Sequence, residues 1–282
     1  MGHTDVEKTR RTAKTLGWIL KDGVMEPCAS CASGKAKQRR VPKKSERTRA
    51  AKPGERWYHD ISTISHKEGV SCPKKQWHLQ HDEFSRYSIS NFYKTKDAFI
   101  EPMYMFLHKL SEKGMAAEYI WMDSGENKKL VERASGADWK LNPKWEFTAR
   151  STPQQNGLVE VEFATIAGRA RAMCNAAHMS DRICILVVNE VLTYSTALSN
   201  LVIDKDKVLT HSQLMGLKNP KWAEPRVMRT FGEAGVVTRG KNGKLGDRGI
   251  PMVFVGYAEN HSHDCYRMWN PASCKITESR DV

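Results

Sequence analysis

Between Arg56 and Met173 the spacing of apolar and polar residues changes several times, and each change marks a new element. Arg56–Ile64 and Trp77–Tyr93 are rich in aromatic and β-branched residues and read as strands. The second is long enough to turn and return near Glu83–Ser85. Asp97–Lys113 shifts to a helical period, with Phe99, Met103, Phe106, Leu107 and Leu110 on one face. Ala117–Met122 is a short apolar run that predicts a buried strand ending at Asp123, and Lys144–Ala149 predicts another edge or buried strand. From Gly157 the period is helical again. Val159, Phe163, Ile166, Ala170 and Met173 recur at steps of 4, 3, 4 and 3, a single stripe for the core. Glu160 stands one residue off that stripe, about 100° round the helix, where it can project past the packed face. Pro153 and Gly157 give this helix a stiff approach and a flexible entry.

Three antiparallel strands, a helix, a strand, then a strand and a helix predict an α/β fold built on a mixed sheet. Residues 181–217 read as helical, with Val187, Val188, Val191, Leu192, Leu198 and Leu201 as apolar positions. Beyond Pro225 short strands alternate with turn signals, the pattern of a small β-barrel. Ahead of Arg56, residues 1–34 are helical in composition up to Leu20, break at Gly23 and end on Cys28-x-x-Cys31. Residues 35–55 are basic and carry Pro42, Pro53 and Gly54, a linker or an extended arm. The predicted organisation is therefore 1–34, a basic linker 35–55, a core 56–180, a helical extension 181–224 and a barrel 225–282.

Charge sharpens this picture. The 282-residue chain carries a net +13, and residues 1–56 hold 15 Lys and Arg against 6 Asp and Glu. A polyanionic partner fits that distribution, because basic side chains release counterions from phosphates. The run at 35–49, with Lys35, Lys37, Arg39, Arg40, Lys43 and Lys44, is the candidate for nucleic-acid contact or nuclear import, against plain solvation. No run of about 18 apolar residues predicts a membrane span. The N-terminus lacks the apolar stretch of a secretory signal, so an intracellular setting is expected. The seven cysteines are then expected as thiols or metal ligands rather than disulfides.

The candidate chemistry lies in three carboxylates: Asp60 in a strand, Asp123 at a strand end and Glu160 in the first turn of a helix. Hard oxygen ligands on rigid elements suit a pair of Mg²⁺ ions, which in phosphoryl displacement activate an attacking oxygen and stabilise a leaving one. Gln154 and Asn156, just ahead of Glu160, either hydrogen-bond bases and phosphates or cap the loop. Asp82 is expected to order the turn after the second strand and Arg86 to pair with it, and both stay outside the catalytic set.

The carboxylates are separated by 62 and 36 residues, and their flanks R-W-Y-H-D-I-S-T-I, Y-I-W-M-D-S-G-E-N and S-T-P-Q-Q-N-G-L-V-E resemble the integrase of copia-type long-terminal-repeat retrotransposons. So do C-A-S-C-A-S-G-K at 28–35, H-D-E-F-S-R-Y at 81–87, M-V-F-V-G-Y-A at 252–258 and the closing S-R-D-V. The resemblance covers nearly the whole chain. It implies a ribonuclease H-like core and an Asp-Asp-Glu polynucleotidyl transferase, in which Asp60 bridges two Mg²⁺ (or Mn²⁺) ions while Asp123 and Glu160 each complete one. The implied reaction is attack of a 3′-hydroxyl DNA end on a target phosphodiester. Element-end DNA, target DNA and further copies of the chain are the implied partners. The implied source is a Gag-Pol polyprotein, acting in the nucleus after a cytoplasmic particle stage. The sequence departs from the family at Ser124, where asparagine is commoner, and at Val161, where arginine is commoner. An inactive DNA-binding remnant and a hydrolytic nuclease on the same fold are the rival functions.

His3, Cys28 and Cys31 resemble the histidine–cysteine zinc module that precedes such cores. A fourth ligand would lie before Met1, so a fragment or a misassigned start is expected; a redox C-x-x-C lacks its usual βαβ context. Cys72, Cys174, Cys184, Cys265 and Cys274 show no ligand spacing, and His261 and His263 flank an expected loop.

Overall fold

In the computed structural model the described residues are 48–65, 72, 74–115, 117–122, 143–147, 157–205, 207–224, 226–238, 246–259 and 261–282, with Arg10, Ile19 and Gly23. The chain divides into two units, 1–47 and 48–282.

In the second unit a five-stranded mixed sheet runs in the order β3-β2-β1-β4-β5. Its strands are β1 (Arg56–Thr63), β2 (Gln76–Asp82), β3 (Ser88–Tyr93), β4 (Tyr119–Met122) and β5 (Lys144–Phe147). The first three are antiparallel, whereas β4 and β5 join β1 in parallel. This is the mixed sheet and the element order expected from the sequence. Strand β1 lies at the centre, and Arg56 to His59 are all buried. Burial on both faces explains why its sequence shows no apolar–polar alternation.

Each face of the sheet has its own helix. Helix α1 (Ile100–Glu112) follows a 3-10 turn at Lys96–Phe99. The expected single helix therefore starts as a tighter turn, and Pro102 falls in the first turn of α1, where no intrahelical N–H is needed. Phe99, Met103 and Leu107 pack with Ile120 and Met122, while Leu110 packs with Trp57. On the other face lies α2 (Gly157–Ala176), against β1 and β2. Its buried residues are Val159, Glu162, Ile166, Ala170 and Cys174, at steps of 3, 4, 4 and 4. The stripe is thus rotated slightly from the expected one, and Phe163 and Met173 sit at its edge, partly buried.

The expected helical stretch 181–217 breaks into α3 (Asp181–Leu186), α4 (Val188–Ser199) and α5 (His211–Leu214). Helix α3 begins at Ser180, which accepts from Ile183 N–H, and α5 at a capping box formed by Thr210 and Gln213.

The C-terminal region is an antiparallel four-stranded sheet in sequential order: β6 (Ala234–Thr238), β7 (Gly249–Tyr257), β8 (Tyr266–Asn270) and β9 (Lys275–Ser279). Strand β7 is bulged between Phe254 and Gly256. Thr238 N–H donates to the Asp281 carbonyl at 3.1 Å, linking β6 to the residues after β9, so the sheet curls toward closure. Its inner residues Met252, Phe254, Met268 and Trp269 share one apolar cluster with α2 and α4. Arg267 pairs with Glu190 of α4 at 3.1 Å, and Tyr194 of α4 donates to the Arg229 carbonyl at 2.7 Å. No described helix is long and apolar enough to cross a membrane.

Candidate active site

Asp60 sits near the carboxyl end of β1, half-buried, opposite Leu79 of β2. Side chains alternate along a strand, so Tyr58, Asp60 and Ser62 share one face. That is the face α2 covers: Tyr58 belongs to the apolar cluster that holds Val159 and Ile166. Ser62 borders a cleft of about 490 Å³ whose other wall includes Ala167, Ala170 and Arg171. One oxygen of the Asp60 carboxylate accepts from Ile61 N–H at 2.8 Å, which fixes the direction of the group.

Glu160 is exposed in the first turn of α2, directly after the fully buried Val159. Phe163, a turn further on, meets Trp77 of β2 edge-on with centroids 4.6 Å apart. Two of the three predicted carboxylates are therefore on elements that meet across one face of the sheet. Asp123 lies outside the described residues. Its sequence neighbour Met122 stands opposite His59, the neighbour of Asp60, in the parallel β1–β4 register.

Gln154, Asn156, Lys35, Lys37, Arg39, Arg40, Lys43, Lys44, His3, Cys28 and Cys31 also lie outside the described residues. Among the described residues no three of His, Cys, Asp and Glu gather as a metal site. The donors that are described, Asp60 and Glu160, are carboxylate oxygens, a class that fits a hard divalent cation.

Asp82 performs the turn role expected of it. Its carboxylate accepts from Ser85 N–H at 2.8 Å, Ser85 Oγ at 2.6 Å and Gly54 N–H at 2.9 Å. Arg86 joins through the backbone, its N–H donating to the Asp82 carbonyl at 3.0 Å, with φ at 63°. Burial raises the Asp82 pKa, and the Ser85 and Gly54 bonds oppose that rise.

Three features were missed by sequence reasoning. His59 and His78 lie 3.3 Å apart between ring nitrogens on the α1 face, both fully enclosed. Burial holds His59 well below the usual imidazole range, with His78 adding to it, and burial alone takes His78 to about 3. Arg56 is enclosed between Glu83 at 3.3 Å and Glu146 at 3.2 Å, tying β1 to both sides of the sheet. Glu162, buried in α2, accepts from Ser199 Oγ of α4 at 2.9 Å. A signal for Glu162 existed: it falls three residues after Val159 and four before Ile166, at core spacing.

The mixed sheet with its flanking helices and the β-rich C-terminal region define a chain similar to an integrase from a retrotransposon Pol polyprotein. Residues 234–282 match the retroviral polymerase SH3-like domain. The whole chain aligns, at 24% identity over 303 residues, with the Retrovirus-related Pol polyprotein from transposon TNT 1-94 of Nicotiana tabacum. It spans only 21% of that relative's length. Among solved structures, the HTLV-2 integrase catalytic core domain in complex with magnesium is 18% identical, with a TM-score of 0.42, covering 59% of this chain and 99% of that one. The simian T-cell lymphotropic virus intasome in complex with PP2A regulatory subunit B56 gamma is 16% identical, with a TM-score of 0.48, covering 89% of this chain and 84% of that one.

Proposed function

We propose that this chain joins 3′-hydroxyl ends of DNA to a target strand, with Asp60, Asp123 and Glu160 as the ligands of two divalent metal ions. One observation carries the proposal. Glu160 lies on the helix that covers the Asp60 face of the sheet, and β4, which leads to Asp123, runs parallel to β1 with Met122 opposite His59. Strand and helix both anchor their carboxylates through buried neighbours, and such sites tolerate little positional error.

Magnesium, when bound, supplies activation of the attacking hydroxyl and neutralisation of charge on the leaving oxygen. The chain's own residues hold and orient. Asp60, pinned by the Ile61 amide, would hold a metal ion from the strand side. Glu160, exposed and next to the anchored Val159, approaches from the helix side. In the joining step the 3′ oxygen of the element end forms a bond to phosphorus, and the bond from that phosphorus to the target strand's 3′ oxygen breaks. The incoming hydroxyl loses a proton and the departing oxygen gains one. Phosphodiester number is conserved, so no energy cofactor is called for.

The arm at 35–49 supplies phosphate contacts in this proposal, and Gln154 and Asn156 contact DNA beside Glu160. DNA ends, target DNA, further copies of the chain and a parent Gag-Pol polyprotein are the partners, and the nucleus is the place of action. His3, Cys28 and Cys31 are one ligand short of a four-coordinate structural zinc site, so no step rests on zinc.

The test is Mg²⁺-dependent joining of a short DNA end to plasmid by the unmodified chain, Asp60→Asn and Asp123→Asn. Each substitution is expected to lower joining by at least about 10³-fold, the scale on which removing an essential group of a catalytic set acts, with DNA binding and melting temperature retained. Joining that survives either change removes that residue from the site. Binding without joining by the unmodified chain supports an inactive remnant, and cutting without joining supports a nuclease.

A further inference from the structure

Ser195, Thr196, Ser199 and Asn200, at the C-terminal end of α4, are all buried. Residues four apart lie above one another on a helix, so Ser195 and Ser199 form one line and Thr196 and Asn200 the next. The first line grips α2: Ser195 Oγ donates to the Ile166 carbonyl and Ser199 Oγ to Glu162 Oε1, both at 2.9 Å. The second grips the edge of the sheet. Thr196 Oγ1 lies 2.7 Å from Ser90 Oγ, and the Asn200 amide accepts from Ser88 N–H and donates to the Ser88 carbonyl, each at 2.8 Å. Helix α4 therefore ties the first half of α2 to β3 through directional bonds.

Apolar packing alone would leave α2 poorly fixed in rotation about its axis, because burial is non-directional. A hydrogen bond weakens steeply with misalignment and so resists that rotation. Glu162 shares its helical turn with Glu160, so whatever fixes the rotation at one fixes it at the other. A carboxylate at a core position also costs desolvation that an apolar residue would avoid. Its bond to Ser199 gives that cost a structural return.

We infer that Glu162, held by Ser199, is a positioning residue that sets the direction in which Glu160 is presented over the Asp60 face. This rests on the metal-dependent site proposed above. Glu162→Ala, Ser199→Ala and Glu162→Gln in the full chain test it, read by two measurements. The first is amide hydrogen exchange over residues 157–166, which needs no catalysis. The second is the Mg²⁺ concentration giving half-maximal joining, separated from the rate at saturating Mg²⁺.

Both alanine variants are expected to speed exchange in this segment while β7 stays protected. They should raise the half-saturating Mg²⁺ concentration about 10-fold, the low end of what losing an outer support of a metal ligand costs. Glu162→Gln keeps an oxygen for Ser199 and is expected to recover most of both effects. Alanine variants with faster exchange but an unchanged Mg²⁺ requirement would make Glu162 merely structural and overturn the inference. So would a glutamine variant as impaired as alanine. Faster exchange in a chain whose unmodified form shows no Mg²⁺-dependent chemistry would instead sink the site itself, and the positioning role with it.

Discussion

His81 is fully enclosed, with Nδ1 2.9 Å from the Ser88 hydroxyl. Burial, then the charges of Arg86 and His211, push its pKa down to about 3. An unfolded chain binds a proton at that histidine near pH 6.5, whereas the folded chain refuses it until about pH 3. The folded value is the depressed one, so the stability His81 contributes is present above about pH 6.5 and drains away as pH falls toward 3. The slope is about 1.4 kcal/mol per pH unit for one proton. His78, also at about 3, adds a similar slope. His81→Gln cannot take up the proton and still offers the Ser88 hydroxyl a partner. Urea unfolding between pH 6 and pH 4 should show the dependence reduced by about 1.4 kcal/mol per unit in that variant. An unreduced slope would mean that His81 is not held neutral by the fold. None of this was legible in the sequence. The Asp60, Asp82 and Glu160 carboxylates announce themselves by motif, but the enclosure of His59, His78 and His81 is made by residues brought in from other elements, among them Phe99 of the turn before α1 and His211 of α5.

At the scale of elements, period was a good guide where one face is buried and a poor one where everything is. Helix α1 and helix α2 each carry a stripe, and their extents were legible to within a few residues. Between Asp181 and Asn200 no Gly or Pro interrupts the stretch, so nothing in its pattern marked the break at Val187. The polar run Asp204-Lys205-Asp206-Lys207 did mark the end of α4, and the single helical reading passed over it. Asn200 leaves the helix to pair with the edge of β3, a long-range event with no local signal. The junction of α2 with the C-terminal sheet was hidden for the same reason. Gly232, at φ +87°, donates its N–H to the Phe254 carbonyl at 2.9 Å, and an added Cβ would collide with Ala177 just past α2. Gly114 has a similar φ of +71°, but its added Cβ would meet nothing. Gly114→Ala should therefore lose about 1 kcal/mol from backbone strain alone. Gly232→Ala should lose that and a further 1–3 kcal/mol or so from overpacking. Urea midpoints at constant slope compare the two directly. Equal losses would show that α2 and the sheet yield to each other at this contact.

Over the whole molecule, charge is the property composition made most plain, and it is concentrated toward the N-terminal end of the sequence. The net charge is +13, and residues 1–56 contribute +9 of it, leaving +4 for the other 226 residues. The sheet, the helices and the SH3-like region are thus close to balanced. Arg56, Arg267 and Arg280 already face carboxylates at 3.3, 3.1 and 2.7 Å. Phosphate affinity, if the proposed function holds, must come disproportionately from the arm at 35–49, which has eight Lys and Arg and a single Glu. Each phosphate neutralised contributes about 0.9 to the slope of log affinity against log salt on duplex DNA. Replacing Lys35, Lys37, Arg39, Arg40, Lys43 and Lys44 by Gln should lower that slope by about 3–5, the upper figure applying if nearly all six touch phosphate. The melting temperature of the 48–282 unit should stay where it was, because none of the six lies within it. Fluorescence anisotropy on a short duplex between 50 and 300 mM salt reads the first quantity and calorimetry the second. Weaker binding at an unchanged slope would mean that the arm acts through something other than phosphate.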